Sequence, residues 1–269
     1  MNHVMQVFLA MLVAALPLGV LADGLRIGGT GGALGTMKIL GDAFVARHPA
    51  RGPVKILPSL DSAGGVRALL AGVIDIALTS RPLKESEQRP DLEAFEYGRS
   101  PFGLVTSKSG VTRLAARDVA GMLSGRIATW PDGEPVRVVL RPLTDSDTTY
   151  FGQMAPEIAA ALKIAHQRPG MVVAATDQDA ATEAESLGGS IGTSTLSILA
   201  SERRRLHLVA IDDAVPSLQG LASGAYKFYK PFFIVTRQGG SDTAREFVAF
   251  VRSAEGRALL EANGHVVTR

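Results

Sequence analysis

The chain has 269 residues, 46% of them hydrophobic and 20% charged, with 28 Lys and Arg against 26 Asp and Glu and a formal net charge of +2. That composition excludes a disordered chain. The absence of cysteine excludes disulfides, thiol catalysis and cysteine-bound metal. A nucleic-acid binder would carry a basic stripe or a known module; the one dense basic run, Arg203 to Arg205, reads instead as a solvated helix end.

The chain order begins with an uncharged run, VMQVFLAMLVAALPLGVLA, over Val4 to Ala22. It reads as a secretory signal cleaved after Ala22, with Val20 and Ala22 as the small residues of the cleavage site. Its short leader, Met1 to His3, carries no Lys or Arg, and an uncleaved anchor is the alternative. No cysteine follows for lipid attachment, so residues 23–269 are expected free in the periplasm, as a monomer.

Beyond this segment, short apolar runs alternate with helical periodicity. Leu25–Ile27 reads as a strand, Gly28–Gly32 as a glycine loop, and Ala33–Arg47 as a helix ended by Pro49. Val54–Leu57 is a strand, Gly64–Ala71 a helix and Ile74–Leu78 a strand. This β-α-β-α-β order implies a parallel sheet with right-handed crossovers. Further strands are expected at Phe102–Thr106 (reached from Tyr97), Val136–Leu140, Ser190–Gly192, Leu206–Ile211 and Phe232–Thr236. Helices are expected at Ala115–Leu123, closed by Gly125, along a long stretch entered from Asp145 and reaching Ile164, at Thr176–Leu187, from Ser194, and at Asp242–Ser253 and Glu255–Ala262. The expected organisation is a signal over 1–22, one lobe from 23–107 and 222–269, and a second from 108–221.

Three loops follow strands and open helices: Gly28 to Gly32, Asp61 to Gly65, and Thr144 to Thr149. A helix start offers free N–H groups and partial positive charge, glycine admits a ligand to the backbone, and Ser or Thr adds a donor, so such loops suit an anion. In open α/β sheets they gather at the carboxyl ends of strands. Thr30, Ser62, Ser146 and Thr148 are candidate donors or simple helix caps. Arg141, just upstream, could grip an oxyanion bidentately or form a surface ion pair. Catalytic motifs are absent: GGTGGALGT lacks the Lys-Ser/Thr end of a phosphate-binding loop, and there is no G-x-S-x-G or H-E-x-x-H. His48, His166, His207 and His265 are dispersed without metal-ligand spacing. No enzyme, cofactor or metal is expected.

The segments IGGTGGALG, LDSAGGVRALLAGVIDIALTSRPL, LRPLTDSDTTYF and GGSIGTSTLSIL resemble the periplasmic phosphate-binding proteins of ABC importers, within the type II periplasmic binding proteins. The resemblance implies two α/β lobes, each a mixed, mostly parallel sheet with flanking helices, closing over an oxyanion, phosphate first, for a membrane permease. It implies backbone contacts from Thr30, Gly31, Gly32 and Ala33, a contact from Ser62, and Ser146-Asp147-Thr148 with Arg141 from the other lobe. Two departures stand out. Asp147 replaces the family's usual Gly, and Thr79-Ser80-Arg81 stands where the family has an acid that accepts a proton from phosphate. Asp61, Asp145 or Asp147 could substitute for that acid, and Ser80 and Arg81 join the candidate site, Arg81 either as added positive charge or in a surface pair. The alternatives are a molybdate- or tungstate-like oxyanion, or a ligand sensor for a signalling receptor.

Overall fold

A computed structural model describes residues 24–268; the apolar Val4–Ala22 segment and its cleavage site lie outside the described residues. The first part of the chain forms β1 (Leu25–Gly29), α1 (Gly31–Arg47), β2 (Val54–Ile56), α2 (Asp61–Leu70), β3 (Ile76–Thr79) and β4 (Leu92–Thr106). The middle forms β5 (Arg113–Leu114), α3 (Ala116–Ser124), β6 (Arg137–Leu140), α4 (Ser146–Gly152), α5 (Pro156–Ala165), β7 (Val172–Val173), α6 (Asp177–Ser186), β8 (Ser190–Thr195), α7 (Leu196–Ser201) and β9 (His207–Ile211). The last part forms α8 (Leu218–Ser223), β10 (Tyr229–Arg237), α9 (Asp242–Arg252), α10 (Ala254–Ala262) and β11 (Val266–Val267).

The strands run in the order β2-β1-β3-β10-β4-β8-β6-β7. β1 lies parallel to β2 and β3, and β6 parallel to β7 and β8. β10 runs antiparallel between β3 and β4. β3 is buried on both faces, which is why Ile76 to Leu78 reads as an unbroken apolar run rather than as an alternating one; β1 is buried except at Arg26, which pairs with Asp75. α9 turns Ala244, Phe247, Phe250 and Val251 inward at helical spacing, and Phe247 meets Phe44 of α1 edge-on at 5.4 Å between ring centroids.

β4 joins two cores. Its first ten residues, Leu92 to Pro101, pair with β10, and Phe102 to Thr106 pair with β8, with β9 taking Leu104 to Thr106. The core around Ile27, Met37, Phe44, Phe232 and Phe247 draws only on the two ends of the chain. The core around Phe102, Trp130, Ile158 and Val209 draws on the middle. The architecture is thus two α/β lobes sharing β4.

The structure departs from the sequence reading in several places, and the short elements β5, β7, α8 and β11 are not expected from it. The stretch Asp145–Ile164 holds two helices, because Pro156 lacks the N–H to continue a helix and starts α5 instead. Tyr97 is not a lead-in to a strand but part of the single fifteen-residue β4. The Arg run is partly tied down: Arg204 pairs with Glu202 at 2.7 Å and Glu185 at 3.3 Å.

Gly29 closes β1 at φ +141°, and a Cβ there would stand 2.1 Å from the Leu78 carbonyl oxygen of β3. This glycine lets β1 and β3 pair right up to the loop that begins α1. Gly29→Ala is expected to destabilise the fold by about 3 kcal/mol, since strain and a backbone clash combine; a urea unfolding midpoint unchanged from the parent would refute this.

Candidate functional site

The site is built where β1 and β3 end together. The Thr30 N–H donates to the Leu78 carbonyl at 2.9 Å, carrying the β1–β3 pairing one residue past β1. The Leu60 N–H donates to the Gly29 carbonyl at 3.0 Å, which draws the start of α2 onto the same edge. Three hydroxyls converge as a result. Thr30 Oγ1 donates to Ser80 Oγ at 3.4 Å, Ser62 Oγ and Ser80 Oγ lie 3.3 Å apart, and the Ser80 N–H donates to Ser62 Oγ at 3.0 Å.

The second lobe faces this cluster with the loop that starts α4. There Asp145 caps the helix, its carboxylate accepting the Asp147 N–H at 2.8 Å. Between the lobes lies a cleft of about 350 Å³. Thr30, Ser62, Ser80, Arg81 and Ser146 line it, with Asp61, Lys84, Thr144, Asp145, Asp177 and Lys230. Asp61 opens α2 at φ +56°, an unusual conformation for a non-glycine residue. Partial burial, and then the nearby Asp145 charge, raise its pKa above the ordinary 3.8.

The remaining sequence candidates are near the cleft but do not line it. Gly31, Gly32 and Ala33 are buried in the first turn of α1. The Gly32 N–H donates to Asp177 Oδ2 at 3.0 Å, and the Gly31 carbonyl accepts from Gln178 Nε2 at 2.8 Å. Arg141 is buried behind the loop, donating to the Ala174 carbonyl at 2.7 Å and to Asp145 Oδ2 at 2.6 Å. Thr148 Oγ1 donates to the Arg141 and Pro142 carbonyls, which fixes this loop against β6 rather than offering a donor to the cleft. Arg81 lines the cleft but is held bidentately by Glu87 at 2.6 and 2.7 Å.

Asp147 and Lys230 form the feature that sequence reasoning did not assemble. Lys230, on β10, is 1% exposed and forms ion pairs with Asp147 of α4 and with Asp177 of α6, the latter at 3.2 Å. One buried ammonium thus serves two buried carboxylates from the opposite lobe. Burial raises the Asp147 pKa to about 7; Lys230 offsets this only in part, and Asp177 and Asp145 reinforce it. Asp177 goes the other way. Against the same burial, the charges of Lys230 and Arg141 and the Gly32 N–H hold it below 3.8. The signal in the sequence was the charge itself: Lys230 is the one charged residue in YKPFFIVT, an otherwise uncharged run. Asp177 stands in the first turn of α6, where an acid is ordinary on local grounds alone.

Removing the shared cation strands two buried carboxylates. Lys230→Met is expected to destabilise the protein by about 3–5 kcal/mol, read as a lowered urea midpoint. The acids also imprint a pH dependence. Between about 4 and 7, folded Asp147 retains a proton that the unfolded chain has released. Its contribution to stability therefore falls as pH rises through that window, whereas that of Asp177 is present above 3.8 and lost below it. Asp147→Asn is expected to flatten the fall between pH 4 and 7 in a series of unfolding curves; an unchanged slope would count against this.

Comparison with known proteins agrees with this architecture. A phosphate-binding protein, PstS 2, of Streptococcus agalactiae is 33% identical over 78 residues. That match covers 29% of this chain and 26% of the relative, so the chain spans about a quarter of the relative's length. Among solved structures, a Clostridium perfringens protein with bound phosphate, named as a phosphate ABC transporter substrate-binding protein, aligns with TM-score 0.72 at 19% identity. It covers 92% of this chain and 100% of its own. An ABC-type phosphate transport receptor from Vibrio cholerae gives 0.61 at 21% identity over 91% and 100% of the two chains. A periplasmic molybdate-binding protein from Azotobacter vinelandii gives 0.64 at 14% identity over 91% and 100%. At such identities the likeness concerns the fold. The family model described as a PBP superfamily domain matches residues 20–255, nearly all of the chain, and this two-lobed protein therefore belongs to that family.

Proposed function

We propose that the chain is an exported solute-binding protein that captures a small oxyanion, phosphate first, and presents it to the membrane permease of an ABC-type importer. The observation that carries this reading is the hydroxyl cluster Thr30–Ser80–Ser62, which faces Ser146 and Asp145 across one cleft together with Arg81 and Lys84. Such a site binds an anion with neutral donors and leaves most of the formal charge already compensated. The names of the Streptococcus, Clostridium and Vibrio proteins support phosphate as the ligand.

Carboxylates inside the cleft favour phosphate over molybdate. Asp61 and Asp145 line it, and an ionised carboxylate only accepts hydrogen bonds. It suits an oxyanion that still carries a proton and repels one that carries none. In this reading Asp61 and Asp145 take over from the acid that is missing at Thr79-Ser80-Arg81. Arg141 holds Asp145 in place, and Gly31, Gly32, Ala33, Asp147 and Thr148 sit behind the lining residues and fix the loops that carry them. Binding needs no covalent step, so the protein is read as a carrier and not as an enzyme.

The apolar Val4–Ala22 run supports export with cleavage after Ala22 and release into the periplasm. The lobes are proposed to be 23–107 with 222–269, and 108–221, closing about β4 and the segment leading into β10. Titration calorimetry of residues 23–269 with phosphate, sulfate, molybdate and tungstate tests the reading. One phosphate is expected to bind per chain, more tightly than the other anions. Ser62→Ala is expected to weaken it by about 1–3 kcal/mol, the worth of a buried hydrogen bond to a charged group. Sulfate binding more tightly than phosphate would overturn the assignment.

A further inference from the structure

A second concavity, of about 600 Å³, lies on the first lobe and shares no residue with the cleft. Its floor is Phe95, Glu96, Tyr97 and Arg99 of β4, and its walls include Arg252 at the end of α9 and Arg257 of α10. Arg99 is neutralised by Glu96, whose carboxylate it contacts at 2.5 Å. The other two arginines are not. The Arg252 guanidinium stacks on Phe95, 3.8 Å from the ring centroid, and Arg257 Nε donates to the Arg252 carbonyl at 3.0 Å. Two arginines thus line one mouth, and among the described residues neither is paired with a carboxylate.

The backbone beside them is also unpartnered. β10 covers one edge of β4 from Leu92 to Pro101, but on the other edge β11 pairs only with Gly98 and Arg99. Among the described residues no strand lies along Leu92 to Tyr97 on that edge; the Glu96 carbonyl accepts Thr268 Oγ1 there at 2.6 Å. Glu93 and Ala94 are exposed. An open strand edge is a template for another extended segment, and here it runs beside uncompensated positive charge.

We propose that this edge and the arginine-lined concavity together dock an acidic, extended segment of another polypeptide. The segment adds as a strand along Leu92 to Tyr97, with its carboxylates on Arg252 and Arg257. Main-chain pairing supplies the attachment, and the arginines select acidic over basic sequences.

The probe is a fluorescein-labelled octapeptide of four Glu-Val repeats, with four Lys-Val repeats as control, titrated with residues 23–269 and read by anisotropy. The acidic peptide is expected to bind and the basic one not. Arg252→Glu and Arg257→Gln, made singly and together, are expected to weaken binding, at least tenfold in the double variant. Phosphate titration and the urea midpoint of each variant establish that it is folded. Hydrogen exchange is expected to slow at the amides of Leu92 to Glu96 when peptide is added. Absence of acidic-peptide binding, equal binding of the basic peptide, or retained binding by the folded double variant would each overturn the proposal. Displacement by millimolar phosphate, or binding without protection of β4, would equally overturn it, since either marks a small-anion site in place of strand addition.

Discussion

One buried ammonium ties the two lobes together. Lys230 stands opposite Ser100 in the β4–β10 ladder, next to Pro101 and the point where β4 changes its strand partners. From there it reaches two carboxylates on helices of the other lobe. Charges this well buried are stable only with partners and hydrogen bonds to hand. The surroundings provide them: Asp177 also accepts the first-turn N–H of Gly32, and Ser100 accepts the Ser197 N–H at 2.9 Å. The starts of α1, α4 and α6 are therefore positioned relative to one another by a single cation.

This arrangement determines what the cleft can offer a ligand. The start of α1, usually a ready anion site, is already occupied in part by the Asp177 carboxylate. Arg141 is engaged with Asp145, and Arg81 with Glu87. The groups left facing the cleft are mainly hydroxyls and the partly compensated charges of Lys84, Asp61 and Asp145. Recognition in such a place depends on geometry and proton-sharing more than on net positive charge. That distinguishes it from the concavity beside β4, where among the described residues Arg252 and Arg257 have no carboxylate partner and charge itself is the available signal.

The relation between the two regions runs through β4. Its first ten residues belong to the sheet of the first lobe and its last five to that of the second, so one strand carries both the lobe junction and the open edge. A strand fifteen residues long is unusual for a sheet of this size. Its length follows from having to serve two cores, one on either side of Pro101.

The alternation of apolar runs and helical periodicity determined the α/β class, the order of the main elements, though not the short β5, β7, α8 and β11, and the three loops that start helices. These are local properties, set by side-chain spacing and by residues such as Pro49 and Gly125 that end helices. The convergence of Thr30, Ser62 and Ser146 on one cleft was also within reach, because strand–loop–helix units in a parallel sheet place such loops at one edge. Only the tertiary structure decided which polar groups face that cleft. Arg141 and Arg81 are both candidate ligands on paper; which of them is buried behind a carboxylate depends on residues packed from elsewhere in the chain. The partnership of Lys230 with Asp147 and Asp177 spans 83 and 53 residues, and no periodicity encodes a contact of that range. A charged residue inside an apolar strand announces that a counterion must exist, because the uncompensated charge would be too costly to bury, but its identity is written only in the packing of the lobes.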